Sequence, residues 1–380
     1  MRVAIVIIAI IIPFTSCVTS GNHAMTEKID HLMSRYEGEV PGASLLVMRA
    51  GRSIVSRSWG YADLEERVPA TPATNYRLAS VTKQFTAASI LLLTEDGRLS
   101  IDDPIAKWLP SLPPATEEVT IRHLLTHTSG LIDYEDLIPE SATEQVHDED
   151  VLDLLEREDR LYFEPGSSYR YSNSGYSLLA LIVERASGLS FAEFLRERIF
   201  QPLEMSRSVA LEEGISTVPN RAYGYSRSED GWTRDDQSIT SAVLGDGGIY
   251  SSIDDLSKWD AALYDDRLLS DESRRLAFTP AVVTDRPGVA YGFGWRIEED
   301  GLMWHTGETR GFRNVILRDS ANRLTIVILT NRNEGNPHEI ARKLWSAARS
   351  AALSSVRVRT NRCCSTALQS PEMSKLSARE

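Results

Sequence analysis

Residues 76–83 read Tyr76-Arg77-Leu78-Ala79-Ser80-Val81-Thr82-Lys83, and an apolar run rich in Ala and Leu follows as far as Asp96-Gly97. The spacing predicts a helix over 80–96, with Gly97 where a C-terminal stop belongs. On such a helix Ser80 and Lys83, three apart, share a face. At its start, unpaired backbone N–H groups and the macrodipole favour developing negative charge. A serine placed there is a nucleophile once a neighbour takes its proton. Lys83 can be that neighbour, since burial and adjacent charge can turn an ammonium into a base. The four letters alone decide nothing. About one S-x-x-K is expected by chance in a chain this long, and a helix-capping serine beside an exposed lysine reads the same way.

Two more short motifs bear on the chemistry. Tyr171-Ser172-Asn173 precedes an apolar helical stretch, Ser174 to Ala186, closed by Gly188. Tyrosine serves as a base only when its phenolate is stabilised. Its reference pKa is about 10, and a neighbouring ammonium is the obvious stabiliser. Asn173 can hold Lys83 and a substrate amide; standing alone, the trio is equally a surface turn with an Asn N-cap. His305-Thr306-Gly307 stands at the end of a predicted strand, Leu302 to His305. Glycine there permits close approach of a substrate carbonyl. The next N–H, that of Glu308, can join the N–H of Ser80 in an oxyanion hole. A strand-end turn with a satisfied, partly buried histidine is the plainer alternative.

Outward from these motifs, the periodicity predicts a helix over Met25 to Tyr36 and two strands, Ser44 to Met48 and Ser53 to Trp59, around a turn at Ala50-Gly51-Arg52. Helices follow at Ile121 to Thr126, Asp148 to Arg157, Phe191 to Phe200 and Ile253 to Tyr264. Strands return at Tyr291 to Ile297, Leu302 to His305, Asn314 to Arg318 and Thr325 to Asn331, before a last helix from Pro337 to Ala351. Strands, then many helices, then strands predict an α/β (α+β) fold. Both chain ends supply one antiparallel sheet, flanked by helices, beside an all-helical lobe. A cleft between sheet and lobe is the natural substrate site.

Motifs and order together resemble the serine beta-lactamase and penicillin-binding-protein superfamily, in the branch nearest class C beta-lactamases and D-alanyl-D-alanine carboxypeptidases. Tyr76 to Ser80, Leu124-Leu125-Thr126-His127-Thr128-Ser129-Gly130, Gly247 to Ser252 and His305 to Phe312 carry the resemblance, over about residues 26 to 350. It implies the beta-lactamase/transpeptidase-like fold and catalysis through an acyl-enzyme on amide, ester or lactam carbonyls. By that resemblance Ser80 is the acylated nucleophile, Lys83 its activating partner and Tyr171 the general base or proton relay. Asn173, His305, Thr306 and Gly307 would contact substrate, with the N–H groups of Ser80 and Glu308 as oxyanion hole. Class C enzymes usually carry Lys where this chain has His305. Histidine, with a reference pKa near 6.5, supplies no permanent charge. A D-peptidase or esterase is therefore expected ahead of an efficient beta-lactamase. The alternative is a non-catalytic penicillin-binding cell-wall sensor on the same fold.

Composition bounds the remainder. Of 380 residues, 42% are hydrophobic and 25% charged, as in ordinary globular chains. Lys+Arg 41 against Asp+Glu 54 leaves a net charge of −13, which argues against a nucleic-acid partner and leaves small-molecule or peptide substrates. Arg2 and the apolar run Val3 to Ile12 read as an export signal over 1–20, too short to span a bilayer. Small residues before Cys17 suggest lipidation there, hence a periplasmic or cell-surface protein with a possible lipid anchor; plain cleavage after Val18-Thr19-Ser20 is the alternative. Residues 353–380, with Cys363-Cys364, read as a disordered tail. His123 and His127 have the spacing of zinc ligands, but no Glu stands between them to act as base, so a structural role is expected. No metal and no cofactor are expected, and neither a phosphate-binding loop nor a G-x-S-x-G elbow occurs.

Overall fold

The computed structural model describes residues 18–350. The export signal up to residue 17, the lipidation candidate Cys17 and the tail after 353 lie outside the described residues. These fall into two units, 18–34 with 343–350, and 35–342. The first holds a helix, Val18–Met33, that begins earlier than the periodicity suggests. The second holds the sheet, the helical lobe and every candidate active-site residue.

The sheet has eight antiparallel strands. In chain order they are β1 (Ala43–Arg49), β2 (Arg52–Trp59), β3 (Val282–Val283), β4 (Val289–Tyr291), β5 (Arg296–Glu298), β6 (Met303–Thr309), β7 (Phe312–Asp319) and β8 (Leu324–Thr330). In space they run β3-β4-β5-β6-β7-β8-β1-β2, so that β8 from the C-terminal part pairs with β1, Ala43 opposite Thr330 and Arg49 opposite Leu324. β8 is buried throughout, with an apolar run from Ile326 to Leu329, as a central strand covered on both faces should have. The predicted strand from 291 to 297 is instead two short strands joined by a turn. Gly294 makes that turn at φ +77°, and a Cβ there would lie 2.8 Å from the backbone oxygen of Lys83. The turn is thus pressed against the start of the helix that carries Lys83, where only glycine fits.

Three helices position the site. α1 (Lys83–Glu95) is buried on all sides from Lys83 to Leu93, which explains its weak amphipathicity. α2 (Asn173–Ser187) begins where the Ser172 hydroxyl accepts the N–H of Gly175, and ends at Gly188 with φ +80°. α3 (Ile253–Ala262) is capped by Ser252. Leu78, Val81, Phe85 and the apolar face of α2 belong to one core cluster.

Candidate active site

Ser80 does not open a regular α-helix. It lies in a 3-10 turn, Ala79–Thr82, and α1 begins only at Lys83. Side chains three apart eclipse in a 3-10 turn, so Ser80 and Lys83 are brought more closely into line than α-helical spacing would bring them. Ala79, just before the serine, has φ +49°, a left-handed conformation uncommon for a residue with a Cβ. The turn is pinned on both sides: the Leu78 N–H donates to the Ile249 carbonyl at 2.8 Å, and Asn314 donates its side-chain amide to the Arg77 carbonyl at 2.7 Å. Gly307 completes the clamp. It lies inside β6, opposite Asn314, and a Cβ on it would overlap the Leu78 carbonyl oxygen. Its smallness therefore serves the serine turn, a different reason from the substrate approach anticipated in the sequence.

Lys83 is fully buried, 0% exposed. Its Nζ donates to Asn173 Oδ1 at 2.8 Å, to the Asp246 carbonyl at 3.0 Å and to Ser80 Oγ at 3.3 Å. Three acceptors match the three N–H groups of an ammonium. A neutral amine fits equally, donating two and accepting the serine proton. The same nitrogen lies 4.9 Å from the ring centroid of Tyr171 and 5.4 Å from that of Tyr176. The structure thus gathers Ser80, Lys83, Tyr171 and Asn173 around one nitrogen.

It does not bring His305 and Thr306 there in the same way. His305 is 2% exposed. Its Nδ1 donates to the Thr306 carbonyl at 2.7 Å, leaving Nε2 to accept the Tyr291 hydroxyl at 3.0 Å. Burial, then the charges of Arg296 and Lys83, hold its pKa well below 6.5, so the ring is neutral and behind the site rather than facing substrate. Strand alternation sends Thr306 into a separate pocket with Arg286, Arg313 and His338. Glu308 borders both that pocket and the Ser80 crevice.

Several groups beside the site escape a reading of the sequence. The crevice is lined by Ser80, Asn173 and Glu308, and also by Glu135 and Asp246. Glu135 accepts the Asn173 side-chain amide at 3.1 Å, and Tyr134 donates to Asp246 at 3.1 Å. Burial first, then Glu135, Asp246 and Asp136, push Asp133 up to about 6; burial likewise raises Asp246 to about 6 against the pull of Lys83. Burial is the main cause of both shifts, and neighbouring carboxylates add to it; of the two groups only Asp246 lines the crevice. On the far side the Arg296 guanidinium lies 5.6 Å from the Tyr171 ring. The only hint in the chain was the acidic run Glu135-Asp136, which carries no motif. His123 and His127 part company: His123 caps its own helix by accepting the Thr120 N–H, whereas His127 lies beyond the end of that helix, Ile121–Leu125.

The beta-lactamase family model matches residues 25–349. Penicillin-binding protein 4* of Bacillus subtilis is 35% identical over 83% of this chain and 74% of its own length. D-aminopeptidases of Gluconobacter oxydans and Brucella canis are 31% and 33% identical over 80% and 82% of the chain. The chain spans only 58% and 60% of those two relatives. Among solved structures, the D-amino acid amidase of Ochrobactrum anthropi SV3, complexed with L-phenylalanine amide, has a TM-score of 0.75 at 26% identity, covering 88% of this chain and 100% of that one. The octameric penicillin-binding protein homologue from Pyrococcus abyssi has a TM-score of 0.75 at 28% identity, covering 88% and 77%. Fold, motif order and a family match over nearly all described residues agree: the chain belongs to the serine beta-lactamase and penicillin-binding-protein superfamily and is a serine hydrolase of the beta-lactamase family.

Proposed function

We propose that this hydrolase cleaves D-amino-acid amides and short D-peptides through an acyl-enzyme on Ser80. The observation that carries the reading is the single Lys83 nitrogen shared by Ser80, Asn173 and the Asp246 carbonyl, beside the Tyr171 ring. Ser80 Oγ bonds to the amide carbonyl carbon, and its proton passes to the Lys83–Tyr171 pair. The N–H groups of Ser80 and Glu308 receive the oxyanion. The C–N bond then breaks, the same pair returns the proton to the leaving nitrogen, and water releases the acid by the reverse path. The carboxyl groups of Glu135 and Asp246 on the crevice wall suit a substrate with a free α-ammonium. The names of the D-aminopeptidase relatives and of the D-amino acid amidase support that class. A neutral, buried His305 provides no fixed cation for an antibiotic carboxylate, which keeps beta-lactam turnover secondary. Export to the periplasm or cell surface, with Cys17 as possible lipid anchor, is part of the proposal; cell fractionation of the wild type and C17A tests it.

The purified chain is to be assayed on D-alaninamide, L-alaninamide, p-nitrophenyl acetate and nitrocefin. Ammonia released faster from D-alaninamide than from L-alaninamide, with little turnover of nitrocefin, supports the reading. Hydrolysis of the acetate alone would make the protein an esterase. A stable penicillin adduct without turnover of any probe would make it the binding module.

A further inference from the structure

We propose that His127 is the positioning residue for Tyr171, holding the phenol against Lys83 from behind the site. The proposal rests on the reading of Tyr171 given above. Three contacts bracket that tyrosine. The His127 backbone carbonyl accepts the Arg170 N–H at 3.0 Å. Its imidazole Nδ1 accepts the Ser172 N–H at 3.1 Å. Its ring lies against the Tyr171 ring, 4.3 Å between centroids at 35°. One residue thus fixes the chain before Tyr171, the chain after it and the side chain between. Two neighbouring bonds extend the seam, Gly166 N–H to the Thr128 carbonyl at 2.8 Å and Tyr162 N–H to the Gly130 carbonyl at 2.7 Å.

Two features separate this from ordinary core packing. His127 has φ +59°, a backbone state that a residue with a Cβ holds only when its surroundings impose it. With Nδ1 accepting, the neutral ring carries its proton on Nε2, and that buried nitrogen has no hydrogen-bond partner among the described residues. A histidine kept only for stability would ordinarily satisfy both nitrogens. Here the ring is oriented by what it does for Ser172 and Tyr171. Tyr176 and Tyr291, at 5.1 and 4.5 Å between centroids, wall it in.

The test separates the ring from the acceptor. His127→Phe keeps an aromatic face and loses the acceptor; His127→Asn keeps an acceptor close to the main chain and tolerates positive φ. Each is made in the wild type and in Tyr171→Phe, and acylation of Ser80 by p-nitrophenyl acetate is timed by intact mass, with thermal midpoints recorded. We expect H127F to lower kcat about 100-fold, the cost of a misplaced catalytic group, with KM within about threefold and H127N retaining most of the rate. In the Y171F background neither substitution slows acylation further, because residues acting as one unit are not additive. Should H127F fail to fold, His127→Ala, which removes ring and acceptor together, carries the same comparison. A loss of equal size in both backgrounds, or a wild-type kcat in folded H127F, overturns the proposal while leaving Tyr171 in place. A wild-type rate in Y171F itself overturns the reading beneath it.

Discussion

At the scale of residues, Lys83 is the hub, because it touches nucleophile, amide and backbone at once. Lys83→Ala should slow Ser80 acylation by at least 100-fold, timed by intact mass. A rate within about threefold of wild type, less than 1 kcal/mol, would remove lysine from the relay. Glu135 should act on recognition rather than chemistry. Glu135→Gln is expected to raise KM for D-alaninamide about tenfold and leave p-nitrophenyl acetate, which has no ammonium, unchanged; equal effects on both would refute the ammonium contact. Ser80, Lys83, Tyr171 and Asn173 stood out in the sequence as two short motifs, neither decisive alone, whose order resembles that of the superfamily. Glu135 and Asp246 at the crevice and Arg296 beside the Tyr171 ring did not, since packing between separate elements, not spacing, carries them there.

At the scale of elements, the serine turn is shaped by what presses on it. Ala79 is left-handed and Gly307 leaves no room for a methyl group against Leu78. Gly307→Ala must displace backbone rather than a flexible side chain. We expect a loss of about 3 kcal/mol, the upper end of ordinary overpacking, read as a lower denaturant midpoint, together with failure to acylate. A midpoint unchanged from wild type would contradict the clamp. The sequence pointed to the helices of the site and the long strands of the main sheet, because apolar periodicity records which face is buried, but not to the helix Asp271–Phe278 or the short strands. It missed the 3-10 start of α1, the turn at Gly294 and the run of β6 through to Thr309. Each is set by a neighbouring strand or helix, and periodicity within one segment carries no trace of that neighbour.

At the scale of the molecule, pairing β1 with β8 brings strands from the early and late parts of the sequence into one sheet, and that much followed from strand, helix and strand order alone. Less visible is how the interior handles charge. Burial raises Asp148 to about 7 and lowers His338 to about 4, with His127 and His305 also held well below 6.5. The two sets oppose each other. The raised carboxyls bind protons in the folded state first, so they favour folding as pH falls; the histidines bind protons first when unfolded, so they disfavour it. Asp148 accepts the N–H groups of Leu244 and Gly245 and can be separated from the rest by substitution. Its unfolded pKa is about 3.9. Between pH 4 and 7, wild type therefore loses on the order of 4 kcal/mol through this group as pH rises, and Asp148→Asn does not. The stability difference between the two proteins, followed by denaturant titration across that range, should move in favour of the variant with rising pH; a constant difference would show that Asp148 ionises normally.

The central claim is that the Ser80 hydroxyl is the acyl acceptor. The most direct measurement is intact mass and peptide mapping after incubation with a fluorescent penicillin, for wild type and Ser80→Ala side by side. We predict one acyl group on the wild-type peptide containing Ser80, and none on S80A with its thermal midpoint within a few degrees of wild type. An adduct that persists on folded S80A, or that maps to another residue in the wild type, would contradict the account.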